Sequence, residues 1–133
     1  MRFDKKLLDD LTRQAKENPR LRQNLDLRTS PADTSQRMLN ALEPETVVPI
    51  HRHNTTTETV AVIRGKIKQC MYDNDGNEIE TFIAGPGEDC VGFSVPRGVW
   101  HRSISLESGT VILESKDGAF IPISKENILE PQN

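Results

Sequence analysis

The sequence predicts an all-β protein, a jelly-roll barrel carrying one short N-terminal α-helix, and three observations carry that prediction. From residue 35 onward the chain runs in short segments of alternating apolar and polar residues, each closed by turn formers. Asp73-Asn74-Asp75-Gly76 is a strong hairpin signal, because Asn, Asp and Gly tolerate positive φ. Gly85-Pro86-Gly87 and Pro96-Arg97-Gly98 mark two further tight corners. A length of 133 residues suits one hydrophobic core.

Taken in order, the elements begin with a helix over 4–17, whose Leu7, Leu8, Leu11 and Ala15 share one face. Asp4 supplies an N-cap, and Asn18-Pro19 ends the helix, since a proline disfavours helical geometry in the residue before it. The segment 28–33 is polar and reads as a connector. Strands are expected over 36–42, 46–51, 57–64, 66–72, 78–83, 90–95, 99–106 and 110–114. The division that follows is 1–34 as a helix and connector packed on the barrel, and 35–133 as the barrel itself. Strand edges left by such a sandwich are often covered by a second subunit, so a homodimer is expected.

Composition excludes several classes. Lys and Arg total 17 against 20 Asp and Glu, a formal net charge of −3, with the two signs interspersed. Nothing there resembles the basic footprint that nucleic acid or an anionic membrane attracts. No apolar run of signal-peptide length follows Met1, and none is long enough to span a bilayer, so a cytoplasmic home is the expectation. Cys70 and Cys90 are far apart and form no CxxC unit; the sequence does not decide between free thiols and a disulfide.

The chemistry concentrates in the histidines, of which there are three. His51 and His53 flank Arg52, and in an extended chain residues two apart face the same way. Two imidazoles can therefore aim at one point while Arg52 points elsewhere. Glu58 follows at the start of the next strand, and His101 comes from Pro96-Arg97-Gly98-Val99-Trp100-His101. Three imidazoles and one carboxylate suit one divalent transition metal such as zinc, iron, nickel or manganese. A lone histidine pair is a weak signal; the pair, the glutamate, Gly65 and the later proline–glycine–histidine element coincide here, and no histidine is left for another role.

These segments resemble the two sequence motifs of the cupin superfamily. The first runs from His51 through Glu58 to Gly65, with Glu45 at the place of its opening glycine. The second is met at Pro96, Gly98 and His101, with Cys90 and Ser105 at the places of its outer glycine and asparagine. The resemblance implies the cupin double-stranded β-helix and a metal on His51, His53, Glu58 and His101. A narrower resemblance covers nearly the whole chain. Arg20-Leu21-Arg22-Gln23-Asn24-Leu25, then Ser35-Gln36-Arg37-Met38-Leu39-Asn40-Ala41-Leu42 leading into Val48-Pro49-Ile50-His51, look like the WbuC family of cupin-fold metalloproteins. Glu114-Ser115-Lys116-Asp117-Gly118-Ala119-Phe120 is similar to that family's E-x-K-x-G-P-Y stretch, with Ala119 and Phe120 replacing proline and tyrosine. WbuC proteins are often encoded among bacterial surface-polysaccharide genes, which implies a sugar or nucleotide-sugar ligand.

Strand parity extends the site. With Glu58 inward, Val60, Val62 and Arg64 share its face; with His101 inward, Ser103 follows and Trp100 packs oppositely. On the first long strand the inward set is Gln36, Met38 and Asn40 or else Arg37, Leu39 and Ala41. The first is favoured, since a wall near a metal often uses amides, so Gln36, Met38, Asn40 and Arg64 are the expected ligand contacts. Glu114 and Lys116 are candidates for substrate contact, but a charged pair late in a chain is more often a solvated face, which is the reading favoured. Three functions fit: a metal-dependent sugar or nucleotide-sugar isomerase or epimerase, a metal-dependent dioxygenase, or a non-catalytic carbohydrate-binding or regulatory module.

Overall fold

The computed structural model describes residues 1–129. Helix α1 spans Lys5–Glu17, and its N-cap Asp4 accepts a hydrogen bond from the Leu7 amide at 3.1 Å. Its apolar stripe of Leu8, Leu11 and Ala15 lies against Leu39, Ala41 and Val111, forming a core outside the barrel wall. Cap and stripe agree with the sequence expectation.

Eight strands follow: β1 Arg22–Asp26, β2 Ser35–Leu42, β3 Glu58–Arg64, β4 Ile67–Tyr72, β5 Glu78–Ala84, β6 Gly92–Val95, β7 Trp100–Ser105 and β8 Thr110–Asp117. They form a five-stranded sheet in the order β1-β2-β8-β3-β6 and a three-stranded sheet in the order β5-β4-β7. All pairings are antiparallel. The result is the jelly-roll barrel that alternation predicts. Between the sheets, Leu42, Val60, Val62, Ile67, Ala84 and Ile112 pack one end solid. The other end, toward Gln36, Glu58 and His101, stays open as a cavity.

Two elements differ from expectation. β1 forms within a stretch expected to be irregular, pairing from Arg22↔Leu42 to Asp26↔Met38. Its sequence, RQNLD, lacks an apolar alternation because it is an edge strand. Conversely, 46–51 is not a strand. Pro49 has no N–H to donate to a ladder, and regular pairing there shrinks to isolated bridges from His51 to His101 and Ile128. The expected hairpin is present: the Asp73 carboxylate accepts from the amides of Asp75 and Asn77, each at 2.9 Å. Gly65 is required where it stands, at φ +87°, with Thr110 Oγ1 2.2 Å from where a Cβ would sit.

Candidate metal centre

His51 reaches the barrel through its backbone. Its N–H donates to the His101 carbonyl at 3.0 Å, and the His101 N–H returns a bond to the His51 carbonyl at 2.8 Å. The corner after β6 clamps the same segment, with Gly98 N–H donating to the His53 carbonyl at 2.8 Å. Gly98 has φ +81°, a conformation that glycine adopts without strain. The motif that brings His101 thus also fixes the pair His51 and His53.

The side chains converge accordingly. One ligand nitrogen from each of His51, His53 and His101 lies within 4.8 Å of the others. Tetrahedral bonds of about 2.1 Å to a shared ion would hold two such nitrogens about 3.4 Å apart, so closure needs each of two side chains to move by less than about 1 Å. Nδ1 of His51 lies 2.8 Å from the Pro49 carbonyl and Nδ1 of His101 lies 2.9 Å from that of Val99. An Nδ1–H donated to those oxygens leaves both Nε2 lone pairs facing the cavity, the tautomer that a metal ligand needs. Glu58 Oε2 is 3.3 Å from His53 Nε2 and 3.8 Å from His101 Nε2.

One atom tests whether these residues suit a metal. His101 is 2 % exposed, and its Nε2 is buried without a hydrogen-bond partner among the described residues. A buried orphan nitrogen is costly unless something fills its lone pair. A divalent cation does so and also meets the acidic Glu58. Burial pushes the His51 imidazole down to about 4, reinforced by His101, so His51 is neutral and ready to ligate. Burial alone would raise Glu58. The adjacent His101 and His53 rings and then Lys116, whose Nζ lies 3.9 Å away, hold its carboxyl well below the usual range instead.

The cavity behind this cluster measures about 600 Å³. Gln36, Met38 and Asn40 line it, while Leu39 and Ala41 face α1. Gln36 Nε2 donates to the Gly118 carbonyl at 2.8 Å, and the buried Asn40 Oδ1 has no partner among the described residues. Arg64 is placed elsewhere. Its guanidinium bonds the Gly109 carbonyl at 2.8 Å, Asp9 at 2.6 Å and Thr12 at 3.0 Å, holding α1 to the barrel. The cause is a register shift between Val62 and Arg64, where Val62 pairs with Ile112 but Arg64 with Val111. One extra residue reverses the alternation and turns Arg64 to the outer face.

Residues 3–84 match the family model described as "Domain of unknown function (DUF6016)". The chain belongs to the DUF6016 family. His51, His53 and Glu58 lie inside the part matched by the DUF6016 model, and His101 lies beyond it. No curated protein matches the chain. Among solved structures, KdgF from Halomonas sp. is similar at TM-score 0.62 and 16% identity, covering 77% of this chain and 84% of that one. Oxalate oxidase in complex with glycolate is similar at TM-score 0.61 and 18% identity, covering 76% of this chain and 53% of that one. The capsular polysaccharide assembling protein CapF from Staphylococcus aureus is similar at TM-score 0.63 and 22% identity, covering 75% of this chain but 27% of its own length. The chain therefore spans about half of that oxalate oxidase and about a quarter of CapF. These likenesses establish that this DUF6016 protein has the cupin fold.

Several lining residues escape the sequence reading. Glu114 and Lys116, expected on a solvated face, line the cavity because β8 is a central strand whose inward residues pair opposite Met38 and Gln36. Alternation with the core residue Ile112 was the available signal. Arg22, placed by the unexpected β1, and Arg20, in the turn before it, also line it. Burial first, and then the Glu58 charge, pushes the Glu114 carboxyl up to about 7. Residues of the segment 119–128, after β8, complete the lining.

Arg52 ties that segment down. Its guanidinium stacks 4.4 Å from the Trp100 ring centroid, and its Nε donates to Asn127 Oδ1 at 2.8 Å. Arg52→Ala is expected to leave metal content unchanged and to lower stability by about 1 kcal/mol. Elemental analysis paired with thermal melts reads both; metal loss as large as in His53→Ala would contradict the alternation.

Proposed function

We propose that this protein is a metal-binding cupin that takes a sugar or nucleotide-sugar in its barrel, within bacterial surface-polysaccharide metabolism. The observation that carries the metal is the cluster of His51, His53 and His101 around Glu58, with a buried His101 nitrogen that has no hydrogen-bond partner among the described residues. The sugar rests on the WbuC-like segments, and the name of the capsular polysaccharide assembling protein CapF agrees with it. A divalent ion bound there would act as a Lewis acid toward adjacent ligand oxygens.

The chain's own residues supply the rest. Gln36 and Asn40 offer amide groups to hydroxyls, and Met38 offers an apolar wall. The Glu114 carboxyl can hold or release a proton near neutral pH at the cavity surface. Such a group favours proton transfer at a substrate carbon, the chemistry of an isomerase or epimerase, over simple capture. The edge strands β1, β6, β5 and β7 leave room for a homodimer in this reading.

Elemental analysis of protein purified without affinity tag or chelator, followed by incubation with sugar nucleotides in heavy water, tests the proposal. One divalent ion per chain and deuterium entering the sugar are expected. Iron or manganese with oxygen uptake would move the assignment to a dioxygenase. Metal without exchange or turnover would leave a carbohydrate-binding module. Absence of metal after reconstitution would overturn the reading.

A further inference from the structure

A second recess of about 290 Å³ adjoins the main cavity and shares Arg20, Arg22 and Asn24 with it. Its lining is completed by Asn18 and Gln23, giving two guanidiniums, three amides and no carboxylate. Neither Arg20 nor Arg22 has a carboxylate within 4.0 Å among the described residues. Arg22 is half-buried, and the acidic groups that act on it, Glu114 and then Glu58, do so from beyond ion-pair distance, whereas a guanidinium withdrawn from water ordinarily requires a close counter-charge.

The charge balance of the interior points the same way. The lining groups Arg20, Arg22 and Lys116 face Glu58 and Glu114, and Glu58 is already committed to the histidines and Lys116. The fourth cation, Arg52, is occupied by Trp100 and Asn127. A divalent ion would add further positive charge. The chain as a whole is acidic, at net −3, so a cationic cavity lining, in which Arg20 is exposed and Arg22 half-buried, is a local feature and not a consequence of composition.

The backbone holds the two arginines in place at some cost. Leu21, between them, has φ +53°, a region that a branched side chain rarely adopts. Its N–H donates to the Asn18 carbonyl at 2.9 Å, and its carbonyl accepts from Thr46 Oγ1. The side chain of Asn18 accepts from the Arg20 amide at 2.9 Å, completing a turn that delivers Arg20 and Arg22 to the same recess.

We propose that Arg22 and Arg20 form an oxyanion subsite, so that the ligand carries a phosphate or carboxylate at one end and presents its hydroxyl oxygens to the histidine cluster at the other. Planar guanidiniums with several donors match either group. This deepens the sugar reading and rests on it for the far end of the ligand; the anion subsite itself stands on residues 18–24 alone.

The test follows the Arg22 and Arg20 side-chain Nε–H resonances of the metal-replete protein by NMR, titrated with glucose 6-phosphate, glucuronate and glucose at matched ionic strength. At least one anionic sugar is expected to shift the arginine signals saturably and to bind at least about tenfold more tightly than glucose. The two anionic arms decide between phosphate and carboxylate. Arg22→Gln should remove that advantage, Arg22→Lys should restore part of it, and Arg20→Gln should weaken it with less risk to the fold. In His101→Ala the arginine shift should persist, which separates this subsite from the metal reading. Equal affinity for glucose and both anions, an unaffected Arg22→Gln, or loss of the arginine response in folded His101→Ala would overturn the proposal.

Discussion

Replacing His101 by alanine is expected to leave a folded protein that no longer retains a divalent metal through purification. The side chain sits in the cavity wall and its Nδ1 bonds only the Val99 carbonyl, so its removal costs the fold little hydrogen bonding. The backbone bridge to His51 uses main-chain atoms and survives the change. What disappears is one of three nitrogens that meet within 4.8 Å. Loss of an outer-shell partner weakens metal binding roughly 10–100-fold, and loss of a ligand should exceed that. His53→Ala should behave alike, because His53 Nε2 is the imidazole atom nearest Glu58. Elemental analysis and a competitive chelator titration read the effect. Equal metal content in wild type and both variants would remove the cluster from consideration as the metal's home.

The contrast with Arg52→Ala shows how local sequence carried this part of the site. His-x-His in extended chain needs nothing but alternation to converge, and Gly98 and Gly65 mark backbone positions that positive φ demands. The barrel was legible for the same reason, since alternation in β2, β3 and β8 sets one face toward the lumen and the other toward α1 or solvent. Legibility ended where geometry departs from period two. The register shift beside Arg64 reverses the face of a single side chain, and nothing in Thr59-Val60-Ala61-Val62-Ile63-Arg64 announces it. β1 is held by its neighbour β2 and not by its own apolar pattern, so Arg22 had no visible reason to line the cavity. Glu114 and Lys116 were visible as charges in alternation with the apolar Ile112, and the central position of β8 shows why that face lines a cavity.

Glu114→Gln is expected to make the metal-free protein more stable than wild type above neutral pH and to abolish proton exchange in the metal-replete one. Glu114 faces Arg22 on β1, Asn40 on β2, Glu58 on β3 and Lys116 on its own strand. Burial and the Glu58 charge outweigh the two cations, so its carboxyl rises from 4.5 to about 7 in the folded state. Between those values the native protein binds more protons than the unfolded chain, and stability therefore falls as pH rises. The full cost, reached above pH 7, is about 3 kcal/mol by the usual conversion. His51 runs oppositely: its depression to about 4 makes stability rise with pH up to its ordinary 6.5. The two effects oppose each other below 6.5, and the Glu114 loss stands alone just above it. Urea unfolding of chelator-treated wild type and Glu114→Gln across pH 5–8 should show a difference that grows with pH, whereas a constant offset would mean that Glu114 is ionised throughout. If Glu114 is also the proton carrier, the same variant should keep its metal and its ligand while deuterium exchange falls by about a hundredfold or more, the scale of a lost general acid–base group. Retained exchange with an altered stability profile would confine Glu114 to tuning the charge of the cavity.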